Sequence, residues 1–290
     1  MKPLLLSILF LIASQTGAAQ SEPLAVGVIA DCQYADQNHK GQRLYRSCPD
    51  KLQHAAEVFN QQPLDHVVHL GDFIDKDWRS FAPLVKITNT LNAPVFHVLG
   101  NHDLEVADDK KAQVTTALNM PSRYYSLQRG AWRFIAVDGN DVSTYGWPKS
   151  SPEHQRNLKL YQQRYAGLAT WNGGIGDKQL NWIEEQLRQA KNAQQQVVFY
   201  CHFPIFPDDP HNLWNADELL ALIDRYPNVV AWINGHNHKG NYGKRRGVHY
   251  LNLHGMLDTE QTAFSVLTLT DTEIRVKGYG RQPSLRLPLN

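Results

Sequence analysis

Five short apolar runs punctuate the chain, over residues 24–30, 67–70, 95–99, 197–200 and 229–233, and each breaks off abruptly in polar side chains. Their nearly unbroken apolar character predicts strands covered on both faces. Segments with helical spacing lie between them. Ser47 and Pro49 precede an amphipathic stretch over 51–59, Asp177 precedes Leu180, Ile183 and Leu187, and Asn215 precedes Leu219, Leu222 and Ile223. Each opens on a residue type that starts helices. The alternation predicts an α/β architecture, in which ligands gather beyond the carboxyl ends of the strands. Residues 124–127 with 132–137, and 264–269 with 273–278, read instead as antiparallel hairpins, so the sheets should be mixed. No fixed-period repeat or low-complexity linker divides the chain, which predicts one domain over 20–290. Residues 140–176, with their tyrosines, tryptophans and glycines, read as a long decorated loop of the kind that carries function.

The first residues follow a different logic. Lys2 precedes an apolar run over 4–13, and Gly17 and Ala19 supply the small residues of a cleavage site, so 1–19 reads as a secretory signal. The run is about half the length of roughly 20 residues needed to cross a bilayer, and export to the periplasm or beyond is expected, without stable membrane insertion. The chain's 290 residues are 42% hydrophobic and 20% charged, with a formal net charge of +1. This composition excludes a disordered chain or a coiled coil, and it provides no general field for a nucleic-acid polymer. Lys239, Lys244, Arg245 and Arg246, beside Gly240 and Gly243, read as a solvated turn. Cys32, Cys48 and Cys201 are odd in number and make no disulfide framework; Cys32 and Cys201 are expected to pack.

The strand ends carry the chemistry. In chain order they present Asp31 and Gln33, Asp72 and Asp75, Asn101 and His102, His202, then His236 and His238. Asp-x-Gln and His-x-His would set alternate side chains on one side of an extended segment, facing one ion. Glycine before Asp72, Asn101 and His236 permits sharp turns where a Cβ would obstruct. So many polar groups converging without a cation would be costly to desolvate and would oppose like charges.

The ordered blocks Asp31-Cys32-Gln33, Gly71-Asp72-Phe73-Ile74-Asp75, Gly100-Asn101-His102-Asp103, His202 and Gly235-His236-Asn237-His238 resemble the signature of the calcineurin-like metallophosphoesterase superfamily. Gln33 departs from it, standing where most members have histidine. The resemblance implies two mixed β-sheets packed as a sandwich and flanked by helices. It also implies a site for two divalent ions, with Asp31, Gln33, Asp72 and His238 on one, Asp72, Asn101, His202 and His236 on the other, and Asp72 bridging. His102, oriented by Asp75, would stabilise a phosphoryl oxygen or protonate a leaving oxygen. A hydroxide held between the ions would attack phosphorus. An amide oxygen in place of imidazole makes the first site harder, which favours manganese; magnesium, iron and zinc are the alternatives.

Branches of the superfamily differ at particular residues. Lys76 follows the second block where Ser/Thr protein phosphatases carry Arg-Gly, and Asp75 stands where purple acid phosphatases carry a ligand tyrosine. The Asp-x-Gln start, Tyr34, and the stretch through Arg43, Tyr45, Arg46 and Ser47 are similar to the manganese-dependent ADP-ribose/CDP-alcohol diphosphatase family. That resemblance implies cleavage of the phosphoanhydride of small nucleoside diphosphate compounds. Arg43 or Arg46 would clamp a second phosphate, and Tyr34, Phe203 or Phe206 would pack on a base or ribose. A phosphodiesterase for cyclic nucleotides or glycerophosphodiesters is the alternative, and a metal-stabilised binding protein is the non-enzymatic one. The expected partner is a small phosphorylated substrate; no protein partner is evident.

Overall fold

The computed structural model describes residues 22–289, so the signal segment assigned to residues 1–19 lies outside the described residues. In chain order the strands are β1 (Leu24–Ile29), β2 (His66–His69), β3 (Val95–His97), β4 (Tyr125–Arg129), β5 (Trp132–Ala136), β6 (Gln196–Tyr200), β7 (Val229–Asn234), β8 (Lys239–Arg245), β9 (Val248–His254), β10 (Ala263–Leu269), β11 (Glu273–Gly280) and β12 (Leu285–Pro288). The helices are α1 (Cys48–Asn60), α2 (Phe81–Thr88), α3 (Asn101–Leu104), α4 (Val114–Ala117), α5 (Pro152–Leu160), α6 (Asp177–Asn192) and α7 (Ala216–Ile223). The strands form two six-stranded sheets, ordered β12-β11-β10-β1-β2-β3 and β4-β5-β6-β7-β9-β8.

The apolar runs conceal a period of two that explains the layering. Val26, Val28 and Ala30 of the β1 run meet Val198, Tyr200 and Ile233 of the other sheet in the core between the sheets. The intervening residues face outward onto helices. Ile29 packs with Leu52 and Phe59 of α1, while Val197 and Phe199 pack with Ile183 and Leu187 of α6. Both faces of each central strand are thus covered, as a continuous apolar run requires. Gly27 belongs to the same arrangement, because a Cβ there would stand 3.0 Å from the Phe59 ring. Parallel pairs β1–β2, β2–β3, β5–β6 and β6–β7 direct their carboxyl ends to one edge, and the hairpins β4–β5 and β10–β11 are antiparallel as the sequence predicts.

Several local expectations are corrected. Residues 140–176 contain α5, whose start is marked by Ser151 accepting a hydrogen bond from the His154 amide and by Pro152 in the first turn. The basic stretch 239–245 is the edge strand β8, paired with β9 on one side. None of its residues is buried, so the edge strand lacks the apolar pattern that would have marked it. Ser47 stands at the N-cap position of α1 as expected, but its side chain does not cap the helix; its Oγ donates to the Leu44 carbonyl within a short 3-10 turn.

Cys32 is bonded to Cys48 in a disulfide with Cα atoms 5.4 Å apart, and is not merely a packing residue. Cys201 is the thiol left over and is buried. The bridge closes a sequence separation of 16 residues and ties the turn carrying Asp31 and Gln33 to the first turn of α1. Closing a loop of this length restricts the unfolded chain by about 3 kcal/mol. Replacing both cysteines with serine should lower unfolding free energy by about 2–4 kcal/mol in urea titrations; unchanged stability would show that the bridge constrains nothing.

Candidate metal centre and substrate cleft

Strand register performs the first positioning step. Ile29 lies opposite His69, and His69 opposite His97, so three neighbouring strands end at one level. Asp31, Asp72 and Asn101 follow directly. In the second sheet Tyr200 lies opposite Ile233, and His202 and His236 follow. The two edges meet in a seam: His202 Nδ1 bonds the Leu70 carbonyl of the first sheet at 2.9 Å, and the His236 amide donates to the Asp31 carboxylate at 3.1 Å.

The chain leaves these strands by sharp, left-handed steps, and not along the extended segments that the Asp-x-Gln and His-x-His spacing predicts. Asp31, Gln33, Asp72 and His236 have φ of 52°, 48°, 53° and 73°, and Lys76 in the cleft wall has 67°. Each such conformation costs an L-residue about 1–2 kcal/mol. The surrounding structure must therefore fix them. Glycine makes the close approach feasible: a Cβ on Gly100 would stand 2.1 Å from the Asp72 amide nitrogen, and one on Gly235 would stand 2.5 Å from the Asp31 carboxylate.

Hydrogen-bond accounting then decides where the histidine lone pairs point. Leu70 offers a carbonyl, so His202 Nδ1 must carry its proton, leaving Nε2 free to face the seam. Asn172 donates from its amide nitrogen to the Pro210 carbonyl at 2.8 Å, so its oxygen accepts from His236 Nε2 at 2.9 Å. With both rings neutral, His236 Nδ1 consequently faces His202 Nε2 at 3.0 Å, lone pair to lone pair. Asp72 lies 3.4 Å and Asn101 Oδ1 3.2 Å from the same His202 nitrogen. On the other side, Asp258 holds His238 Nδ1 at 3.2 Å, and His238 Nε2 stands 3.6 Å from Asp31. Gln33 donates its amide nitrogen to Asp75 at 3.2 Å, and its buried Oε1 has no hydrogen-bond partner among the described residues.

This arrangement fits divalent cations. Asp72, His202 and His236 offer ligand atoms within 4.8 Å of one another. Buried acceptors opposing one another, with an orphaned amide oxygen close by, are what a cation satisfies. The electrostatics agree. Burial pulls His202 down, but Asp72, Asp31 and the Leu70 carbonyl together raise it to about 9, so the buried negative charge around this ring favours a cation beside it. His236 is held well below the ordinary imidazole value by burial and by His202. Burial raises Asp31 against the pull of His238 and His202.

His102 sits at the rim of this cluster. Its Nδ1 is 2.5 Å from Asp75 and its Nε2 4.0 Å from Asp72. Burial opposes the imidazolium, yet Asp72 and Asp75 raise His102 above its usual value, so it is inclined to hold a proton. Gln37 reinforces the arrangement by donating to the second Asp75 oxygen at 2.5 Å.

A cleft of about 420 Å³ opens over the cluster, lined by Asp72, Asn101, His102, His236 and His238 together with Arg43, Lys76, Glu105, Trp171 and His211. Of the residues expected to contact substrate, Arg43 lines it. Arg46 is engaged outside it with Asp36 at 2.6 Å and Asn38 at 2.9 Å. Phe203 is wholly buried beneath the site, edge-on to His202 and His236, and Phe206 packs on Tyr250. Tyr34 is half-buried and bridges to Ile74. None of these four lines the cleft, because each apolar ring is taken up by core packing and Arg46 by its own turn.

Sequence reading also leaves positioning residues unassigned. Asp103 accepts from the Phe73, Ile74 and Gly100 amides at 2.8, 3.1 and 2.9 Å, and so locks the loops that carry Asp72 and Asn101 together. Its place in the Gly-Asn-His-Asp block was a signal. Asn172 and Asp258 had none, since their contacts exist only in the folded chain. Lys76, Trp171 and His211 enter the cleft in the same way.

The calcineurin-like phosphoesterase family model matches residues 24–240. A protein of Arabidopsis thaliana named manganese-dependent ADP-ribose/CDP-alcohol diphosphatase is 32% identical, the match covering 92% of this chain and 98% of that one. The Homo sapiens protein of the same name is 31% identical over 89% of this chain and 90% of its own length. A dimetal phosphatase from Danio rerio has the same fold, with a TM-score of 0.84 at 24% identity, covering 92% of this chain and 99% of that one. Taken with the ordered ligand motifs and the seam they build, these matches show that the chain belongs to the calcineurin-like phosphoesterase family.

Proposed function

We propose that this protein hydrolyses the phosphoanhydride of small nucleoside diphosphate compounds, ADP-ribose and CDP-alcohols, using two divalent ions, manganese foremost. What carries the reading is the likeness to relatives named for this activity, which extends over 92% of the chain and so includes the cleft wall as well as the ligand motifs. Asp31, Gln33, Asp72 and His238 would hold one ion and Asp72, Asn101, His202 and His236 the other. Such ions, when bound, supply positive charge for phosphoryl oxygens and make a water acidic enough to serve as nucleophile near neutral pH. The hard amide oxygen of Gln33 favours manganese over softer ions at the first position.

The remaining work belongs to side chains. His102, steadied through Nδ1 by Asp75, has Nε2 available to donate a proton to a leaving oxygen. Arg43 and Lys76 bring cationic donors to the cleft, where the second phosphate of a diphosphate needs neutralising. Lys76 is held by Glu105 at 2.8 Å, which keeps the ammonium at the cleft wall. Export from the cytoplasm is part of the same proposal, supported by the signal-like residues 1–19 and by the Cys32–Cys48 disulfide, a bond characteristic of oxidising compartments.

With manganese, ADP-ribose and CDP-choline should be cleaved in preference to cyclic AMP and to a plain phosphomonoester, measured as kcat/KM on the four compounds. Preference for the monoester would contradict the assignment. His102→Ala should separate the leaving groups. An alkyl phosphodiester, whose alkoxide needs a proton, should lose about 10²–10⁴ in kcat, and ADP-ribose, whose leaving phosphate is already a stable anion, should lose much less. Equal losses on both substrates would overturn the acid role.

A further inference from the structure

Lys51 is buried, although lysine is among the residues least often found inside a domain. It stands three residues after Cys48 and four before Ala55 on the buried stripe of α1, where helical spacing calls for an apolar side chain. Burial and Arg281 lower its ammonium to about 8 against the pull of Asp258. The charge is spent on backbone. Nζ donates to the carbonyls of Met256 and Thr259 at 2.9 and 2.6 Å and stands 3.5 Å from that of Leu257. Three carbonyl dipoles turned toward one point repel one another unless a cation lies between them, and the ammonium is that cation.

The segment held in this way lies behind one half of the ion cluster. The Met256 and Leu257 amides donate to the Ala30 and Asp31 carbonyls, both at 2.9 Å, and the Gly255 amide donates to the His238 carbonyl at 3.0 Å. Asp258, between two of the clamped carbonyls, holds His238 Nδ1. We propose that Lys51 is a positioning residue for the ion position bounded by Asp31, Gln33 and His238: it fixes the 256–259 segment and, through Asp258, the direction of His238 Nε2. This rests on the hydrolase reading above and deepens it. Cys48, on the same stripe, is bonded to Cys32 between Asp31 and Gln33, so the first turn of α1 braces both sides of that position. The imidazoles of the other position are oriented by the Leu70 carbonyl and by Asn172, neither of them a partner of Lys51. Loss of the ammonium should therefore fall on one ion.

The test is manganese titration of the full chain by calorimetry, with two binding steps resolved, and anomalous diffraction to identify the position affected. Lys51→Met, which keeps the stripe filled and removes the donors, should weaken one step about 10–100-fold, the size expected when the partner of a metal-binding histidine is disturbed, and leave the other unchanged. At limiting manganese the peak beside His238 should be lost and the peak beside His202 kept. Asp258→Ala should weaken the same step, and adding Lys51→Met to it should cost little more, because the two residues act in series. Equal weakening of both steps would overturn the proposal, since Lys51 would then only support the fold. Two unchanged steps, or additive losses in the double variant, would also overturn it. Should Lys51→Met not fold, Lys51→Gln, which keeps an amide donor, carries the same comparison. Failure of the hydrolase reading looks different: wild-type protein would bind both ions and leave ADP-ribose and CDP-choline intact, whatever Lys51→Met does to the binding steps.

Discussion

Two imidazole nitrogens that both need a partner face each other across 3.0 Å, between buried carboxylates, where the edges of two sheets meet. Their distal nitrogens are already committed, His202 to a backbone carbonyl and His236 to Asn172. Neither ring can therefore turn its lone pair away without orphaning a buried donor. A positive charge in the seam resolves the conflict, and the other features of the site serve this requirement. Asp72 faces His202, and Gln33 presents an oxygen that no donor in the described residues satisfies.

Holding such a cluster requires a stiff frame. Four residues of the seam adopt left-handed backbone, at about 1–2 kcal/mol each, against a total stability of about 5–15 kcal/mol for a typical domain. The sandwich core, the helices that cover both outer faces, the disulfide behind Asp31 and the three amides gathered by Asp103 together offset that strain. Metal-site chemistry and fold stability therefore share the same backbone turns.

What could be read from the sequence follows from which interactions are local. The strands of the apolar runs and the ligand motifs were legible because each apolar run ends in its own polar block, and β-α alternation carries those ends to one edge. Edge strand β8 and helix α5 were not, the first because none of its residues is buried, the second because its apolar spacing is weak despite the start signal at Ser151 and Pro152. The Cys32–Cys48 pairing escaped because an odd cysteine count does not reveal which thiol remains free. Phe203 and Phe206 illustrate a general limit: an aromatic beside a ligand motif can serve the core or the substrate, and only burial distinguishes the two. Asn172 and Asp258 control histidine orientation from 64 and 20 residues away, a relation that no local pattern encodes.

The most direct measurement is anomalous diffraction at the manganese edge from crystals grown with that ion. The account predicts two peaks in the seam that share Asp72, one also bounded by Asp31, Gln33 and His238 and the other by Asn101, His202 and His236. A seam without anomalous signal at saturating manganese, or peaks confined to surface carboxylates, would contradict it.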